Sequence, residues 1–249
     1  MVVGIILLTM FAYAVAIYLW VRERTPSYVV ALLGGQLAAL LSPLWQALYG
    51  FTYDPSLPAM IGVGAGRLAA LARAPAYALP WPVFLGGWLI VLPAISVFYL
   101  FRHRWWFPTY VTSLLTFLLF VLFHLLVEMM GMRLGWLRYN GETQLPLGIP
   151  QTLLSALMNG LVSLLMLAAL LLTRRYSLSS LLMIVLPIPF ALSLLVNGLL
   201  GAPLYTVLLL DAQSWAAAIG LVGTLGLLAS GAHIVAGSLE RPREWQQTI

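Results

Sequence analysis

Apolar residues run in seven long blocks along the chain, and polar residues collect in the short gaps between them. The blocks cover roughly 2–21, 28–49, 81–101, 107–132, 150–173, 177–200 and 212–236. A helix needs about 20 mostly apolar residues to cross the hydrocarbon of a bilayer, and each block has that length. The pattern predicts an all-α integral membrane protein, a bundle of about seven transmembrane helices forming one domain over residues 1–249. The first block has no basic leader and no small-residue cleavage site, so it reads as the first span rather than a signal peptide. The one long gap, 50–80, contains LPAMIGVGAGRLAALARAPAYALP. Its small residues and two arginines suggest an interfacial or re-entrant helix in a long outer loop, with an eighth crossing as the alternative.

Charge orients the bundle. Basic residues accumulate on the cytoplasmic side of membrane proteins. With the N-terminus outside, the inner segments hold Arg22, Arg24, Arg102, Arg104, Arg174, Arg175, Arg241 and Arg243, and the outer ones only Arg67, Arg73, Arg133 and Arg138. The chain is therefore expected N-out and C-in, multi-pass, in a cell (inner or plasma) membrane. Trp105 and Trp106 mark the inner interface, and Trp45, Trp81, Trp136 and Trp215 the outer one.

Composition narrows the chemistry further. Only 8% of residues are charged, against about a quarter in a soluble domain, so no soluble domain is expected. Without cysteine there are no disulfides, thiolate metal sites or thiol nucleophiles. Every basic residue is arginine, which excludes lysine Schiff-base chemistry. The arginines are scattered and form no patch with interleaved aromatics, so nucleic acid is not a partner. Neither a metal nor a cofactor is expected.

Ionisable and polar residues inside spans are rare and are candidates for function. In the fourth block, Glu128 falls about 6 Å and His124 about 12 Å below the outer end at helical rise, and their i, i+4 spacing puts them on one face. Asn159 in the fifth block lies near the depth of His124, while Asn197 in the sixth and Gln46 in the second lie near that of Glu128. Asp211 stands at the outer entry to the seventh, just before Trp215. A pocket in the outer half is the simplest arrangement of these groups. Each also has a structural reading: Glu128 paired with Arg133, the asparagines as interhelical glue, Asp211 as an N-cap. His233 and His103 read as structural.

Glu128 opens the densest motif, Glu128-Met-Met-Gly131-Met-Arg133-Leu-Gly135-Trp136-Leu-Arg138-Tyr139-Asn140, followed by Gly148-Ile-Pro150. Gly131 and Gly135 form a GxxxG, which reads as a close helix–helix approach. Pro150 suits the first turn of the fifth helix.

Over these 25 or so residues the chain resembles membrane-integral carotenoid-modifying enzymes, chiefly of the carotenoid 1,2-hydratase type. The matching positions are Glu128, Gly131, Gly135, Tyr139, Gly148 and Pro150, while Trp136-Leu-Arg138 departs from the family pattern. In size and in its intramembrane acids the chain is also similar to lycopene cyclases of the heterodimeric type and to small membrane terpene cyclases. The resemblance implies a lyase or isomerase that starts cyclisation or hydration of an isoprenoid or carotenoid by protonation. Glu128 would be the acid, His124 its proton partner, and Trp136, Tyr139 and Trp215 the aromatic stabilisers of a cation. Asp211 is the third candidate for the acid–base set, with Asn159, Asn197 and Gln46 as binding residues. The expected partners are a hydrophobic lipid substrate and membrane lipids, in a monomer or a homo- or hetero-oligomer. The alternatives are a non-catalytic, pigment- or haem-binding subunit of a larger membrane complex, and a small transporter.

Overall fold

The computed structural model describes residues 2–63, 77–139, 145–173, 176–210 and 213–240. Seven helical segments in it are long and apolar enough to cross a membrane: Val3–Glu23, Ser27–Tyr49, Trp81–Arg102, Tyr110–Arg133, Gln151–Thr173, Leu178–Leu200 and Ser214–Leu239. We call them spans one to seven. They coincide with the seven apolar blocks to within a few residues. The fold is an all-α bundle, and a further short helix, Ala202–Leu209, links spans six and seven.

Span five is the core of the bundle. Leu161, Leu164, Met166 and Leu167 are fully buried in it, and it packs against spans three, four, six and seven. Span one is peripheral. It packs chiefly on spans two and three and is the least buried of the seven. Exposed faces carry leucine, valine and methionine, as a bundle needs when lipid is its solvent.

Three spans are not continuous α-helices. Span two tightens to a 3-10 turn at Ala39–Leu41 before Pro43 starts its last stretch. Span three holds a 3-10 stretch at Gly86–Ile90 ahead of Pro93. Span six breaks between Ile184 and Ile188, around Pro187, and then widens to a π-helix over Leu194–Leu200. Proline explains the breaks, since it removes a donor and clashes with the preceding turn. Spans two and three meet through glycine at this level. A Cβ on Gly87 would lie 2.8 Å from Gly35 O and 2.8 Å from Ala39 Cβ.

The ends of the bundle differ. At one, which we call the cap end, spans two, four and six finish and the long connections gather. There β1 (Phe51–Tyr53) precedes a hairpin of β2 (Ala59–Val63) and β3 (Tyr77–Pro80), and β4 (Leu137–Tyr139) follows span four. The described part of 50–80 is thus strand and turn; 64–76, which carries most of the expected interfacial helix, lies outside the described residues. β1 pairs antiparallel with β4, Phe51 opposite Tyr139 and Tyr53 opposite Leu137.

At the opposite end the carboxylate of Glu23, nearly buried, takes Arg102 Nε at 2.9 Å and His103 Nε2 at 3.0 Å. Tyr28 Oη donates at 2.6 Å to Oε2, the oxygen that also takes Arg102. This clamp ties the end of span one to spans two and three.

The GxxxG of Gly131 and Gly135 has a different job from the expected one. Gly135 has φ +73° and no atom within 4 Å of a built Cβ, while Gly131 meets only Leu137 Cβ at 3.8 Å. The hydrogen bonds Trp136 N–Gly131 O at 2.9 Å and Gly135 N–Met132 O at 3.0 Å form a Schellman cap that ends span four. The close helix contacts lie elsewhere, at Gly35 and Gly87, and at Gly160 against Val121.

Gly87→Val, which drives a branched side chain into backbone atoms of span two, is expected to destabilise the bundle by about 1–3 kcal/mol. Thermal unfolding in detergent measures this, with Gly226→Ala, where a Cβ meets nothing within 4 Å, as the unaffected control.

Candidate functional site

A cavity of about 640 Å³ opens inside the cap half of the bundle, within the range of about 300–1,000 Å³ usual for ligand sites. One wall is apolar: Ile5 and Leu8 of span one, Ala38 and Ala39 of span two, and Val83, Leu89 and Ile90 of span three. The facing wall carries the polar groups: His124 and Glu128 of span four, Gln151, Ser155 and Asn159 of span five, and Ser193 and Asn197 of span six. Trp45, Tyr49, Phe51, Tyr53, Trp136 and Tyr139 supply an aromatic rim.

The irregular stretches make this shape. The 3-10 turns of spans two and three bring small residues (Ala38, Ala39, Gly86 and Gly87) to the wall and leave room behind it. The π-helix of span six turns Asn197 inward. Its side chain bonds Ser193 O and Oγ, both at 3.3 Å, and its own carbonyl accepts Tyr49 Oη at 2.6 Å.

Glu128 is the centre of the polar wall. Tyr139, held over it by the β1–β4 pairing, donates its phenol proton to Glu128 Oε1. Ser155, from span five, also hydrogen-bonds the carboxyl group. Asn159 Nδ2 reaches Ser155 Oγ at 3.5 Å, the outer limit for a hydrogen bond. Among the described residues the partners of Glu128 are therefore neutral hydroxyls. Arg133 is exposed, and among the described residues the ion pairs belong to Glu23 and none joins Arg133 to Glu128.

His124 is fixed one turn deeper. Its Nε2 lies 2.8 Å from Ser163 Oγ, and Ser163 spends its single proton on Ile90 O at 2.8 Å. Ser163 must then accept from Nε2–H, so in the neutral ring Nδ1 carries the free lone pair. At the rim, Tyr53 shares a hydrogen bond of 2.8 Å with Ser42. Burial pushes its phenol up to about 12 against the opposing effect of the Ser42 bond, so it stays protonated. Gln151 Oε1 is buried without a hydrogen-bond partner, which gives the cavity an acceptor ready for a bound hydroxyl.

Of the candidates read from the sequence, Glu128, His124, Asn159, Asn197, Trp136 and Tyr139 share the cavity. Gln46 does not line it; it is buried and donates to Ala78 O at 2.9 Å, anchoring β3. Trp215 is exposed beside the bundle and donates to Gln213 Oε1. Asp211 lies outside the described residues. Sequence reasoning missed Ser155, Gln151, Tyr49, Tyr53 and Trp45. Of these, Gln151 and Ser155 were open to detection, because with Asn159 they form an i, i+4, i+8 line on one face of span five. Among the described residues no three His, Asp or Glu side chains gather as a metal site.

No family model, curated protein or solved structure matches the chain.

Ser163→Ala strands both the His124 Nε2–H and the Ile90 carbonyl, and is expected to cost about 1–3 kcal/mol of stability. Unfolding in detergent tests this, and nitrogen NMR of the parent protein should find His124 protonated at Nε2 and not at Nδ1 in the neutral ring.

Proposed function

We propose that this protein is a membrane enzyme performing acid–base chemistry on an uncharged isoprenoid, carotenoid or related lipid, by protonation-initiated hydration or cyclisation. The observation that carries the reading is a carboxyl group whose partners among the described residues are neutral hydroxyls, set in the polar wall of a mostly apolar cavity. Such a group can hold a proton and give it to carbon, whereas a carboxylate clamped by guanidinium cannot.

The step balances on these residues. Glu128 transfers its proton to one carbon of a double bond, or to an epoxide oxygen, and a carbocation forms at the adjacent carbon. Water adds to that cation and loses a proton back to the Glu128 carboxylate, which is hydration. Alternatively a second double bond attacks it and a neighbouring C–H proton returns to the base, which is cyclisation. Tyr139 stabilises the carboxylate once its proton has left. Trp45, Trp136, Phe51 and Tyr53 offer ring faces to the cation. His124, on the same face one turn away, serves as proton partner through Nδ1.

Charge selects the substrate class. Among the described lining residues there is no arginine, so a diphosphate or carboxylate head would have no counter-ion and would face Glu128. A neutral chain with one hydroxyl, epoxide or double bond near the polar wall fits. The arginine distribution supports a multi-pass protein of a cell membrane with the cap end outside.

Glu128→Gln keeps the shape and the acceptor oxygen but removes the transferable proton. It is expected to lower turnover by about 10²–10⁴-fold without changing the unfolding midpoint. Membranes carrying either form are given acyclic isoprenoids with terminal double bonds or epoxides, and products are read by mass spectrometry as a gain of one water or as an isomer. Full turnover in Glu128→Gln would sink the mechanism.

A further inference from the structure

The lining of the cavity shows where a lipid enters. Most lining residues are buried or half-buried, and those exposed to the surroundings are Gly4, Leu8, Met130 and Leu134. They lie on two spans only, one and four, at the cap end of each. These spans are not packed together: span one lies chiefly on spans two and three, and span four on spans three, five and seven. Span one packs on the cap half of span three and span four on its far half, Leu92–Arg102, and Leu89 and Ile90 between these contacts line the cavity. Residues that line a cavity and are also exposed mark its mouth. Here both borders of the mouth are membrane-spanning helices whose exposed faces carry leucine, valine and methionine.

From this we infer that the substrate passes between lipid and cavity through a lateral portal bounded by the cap ends of spans one and four, with span one as its movable edge. The inference rests on the lipid-enzyme reading above and adds the route to it. Hydrogen bonds distribute along span one in the way a gate requires. At the far end Glu23 is clamped by Arg102 and His103. In the middle Thr9 donates to Leu85 O and accepts from Trp88 Nε1, each at 3.1 Å, and Tyr13 donates to Gln36 Oε1 at 2.7 Å. Beyond Thr9, among the described residues, no side-chain hydrogen bond ties the last turns to the bundle, and Ile5 is the buried residue against Gly86. Gly4 adds no side chain to the opening, and a Cβ there meets nothing within 4 Å. The edge is thus hinged by polar ties on one side and unlatched on the other.

The route is tested by exchange. Protein in phosphatidylcholine vesicles is loaded with a diazirine-bearing geranylgeraniol, chased with excess unlabelled geranylgeraniol, and flashed at intervals. Labelled peptides are read by mass spectrometry. Gly4→Trp puts bulk in the mouth from a position whose Cβ meets nothing within 4 Å, and is expected to slow loading and release by about tenfold, equivalent to about 1.4 kcal/mol on the crossing barrier. Gly226→Trp puts the same bulk on an exposed, open position of span seven and should exchange like the parent. Should Gly4→Trp fail to fold, Gly4→Cys replaces it. The chain has no other cysteine, so a bulky methanethiosulfonate can be attached after folding and removed by reductant, and exchange should slow and then recover. Equal exchange in the Gly4 and Gly226 forms, with cavity peptides labelled in the parent, overturns the portal and leaves the lipid site standing. No cavity labelling in the parent overturns both.

Discussion

A peptide group in hydrocarbon has no water to bond to, and this constraint governs the rest of the bundle. It makes the crossings helical, and it sets terms for every place where a helix departs from the α ladder. Spans two, three and six all depart, and carbonyls in or beside the departures take side-chain donors from neighbouring spans. Leu85 O accepts Thr9 and Gln36, Ile90 O accepts Ser163, and Asn197 O accepts Tyr49. Each bond is also an interhelical tie. The ties that repair the backbone therefore fix how the spans sit around one another.

Non-helical backbone at membrane depth is tolerated where it is buried in protein or lines a cavity. Here it does both. The 3-10 stretches of spans two and three present small residues to the cavity, and the π-helix of span six presents Asn197. Ser163 links this architecture to the candidate chemistry, because the proton it gives to Ile90 O is the reason it accepts from His124. Repair of an irregular helix in span three thereby sets the tautomer of a histidine in span four. A change at Ser163 would act on the ring by removing its direct hydrogen-bond partner, from a position that does not line the cavity.

Much of this was legible in the sequence, and the limits have physical causes. Span positions follow from apolar length alone, so all seven blocks reappear as helices with nearly the same bounds. Glu128, His124, Asn159 and Asn197 were readable because an ionisable or amide group in hydrocarbon is costly and therefore informative. Serine and tyrosine are cheaper in a helix and pass unnoticed in an apolar run, which is why Ser155 and Tyr49 were not picked out. The β1–β4 pairing that carries Tyr53 and Tyr139 to the cavity joins three-residue strands far apart in sequence, and strands that short leave no period to read. Gly131 and Gly135 show the opposite error. The spacing of a helix-packing motif also fits a Schellman cap, and only the fact that span four ends at Arg133 separates the two. Gln46 was rightly read as shallow and polar, but depth does not say which way a side chain turns, and it turns to β3.

Among the described residues two carboxyl groups tucked between spans, Glu23 and Glu128, have contrasting surroundings. Glu23 sits at the end of span one among Arg102, His103 and Tyr28. Three side chains from two other spans converge on it, so its geometry joins three spans and it acts as a fastener. Glu128 has hydroxyl partners from Tyr139 and Ser155 and an apolar wall across the cavity. Hydroxyls stabilise either form of a carboxyl group, as donors to the anion and as acceptors from the acid. Among the described residues no ion pair reaches Glu128. The same residue type thus meets a guanidinium, an imidazole and a phenol at one end and hydroxyls alone at the other, which is why Glu23 reads as a structural staple and Glu128 as the acid of the proposed chemistry.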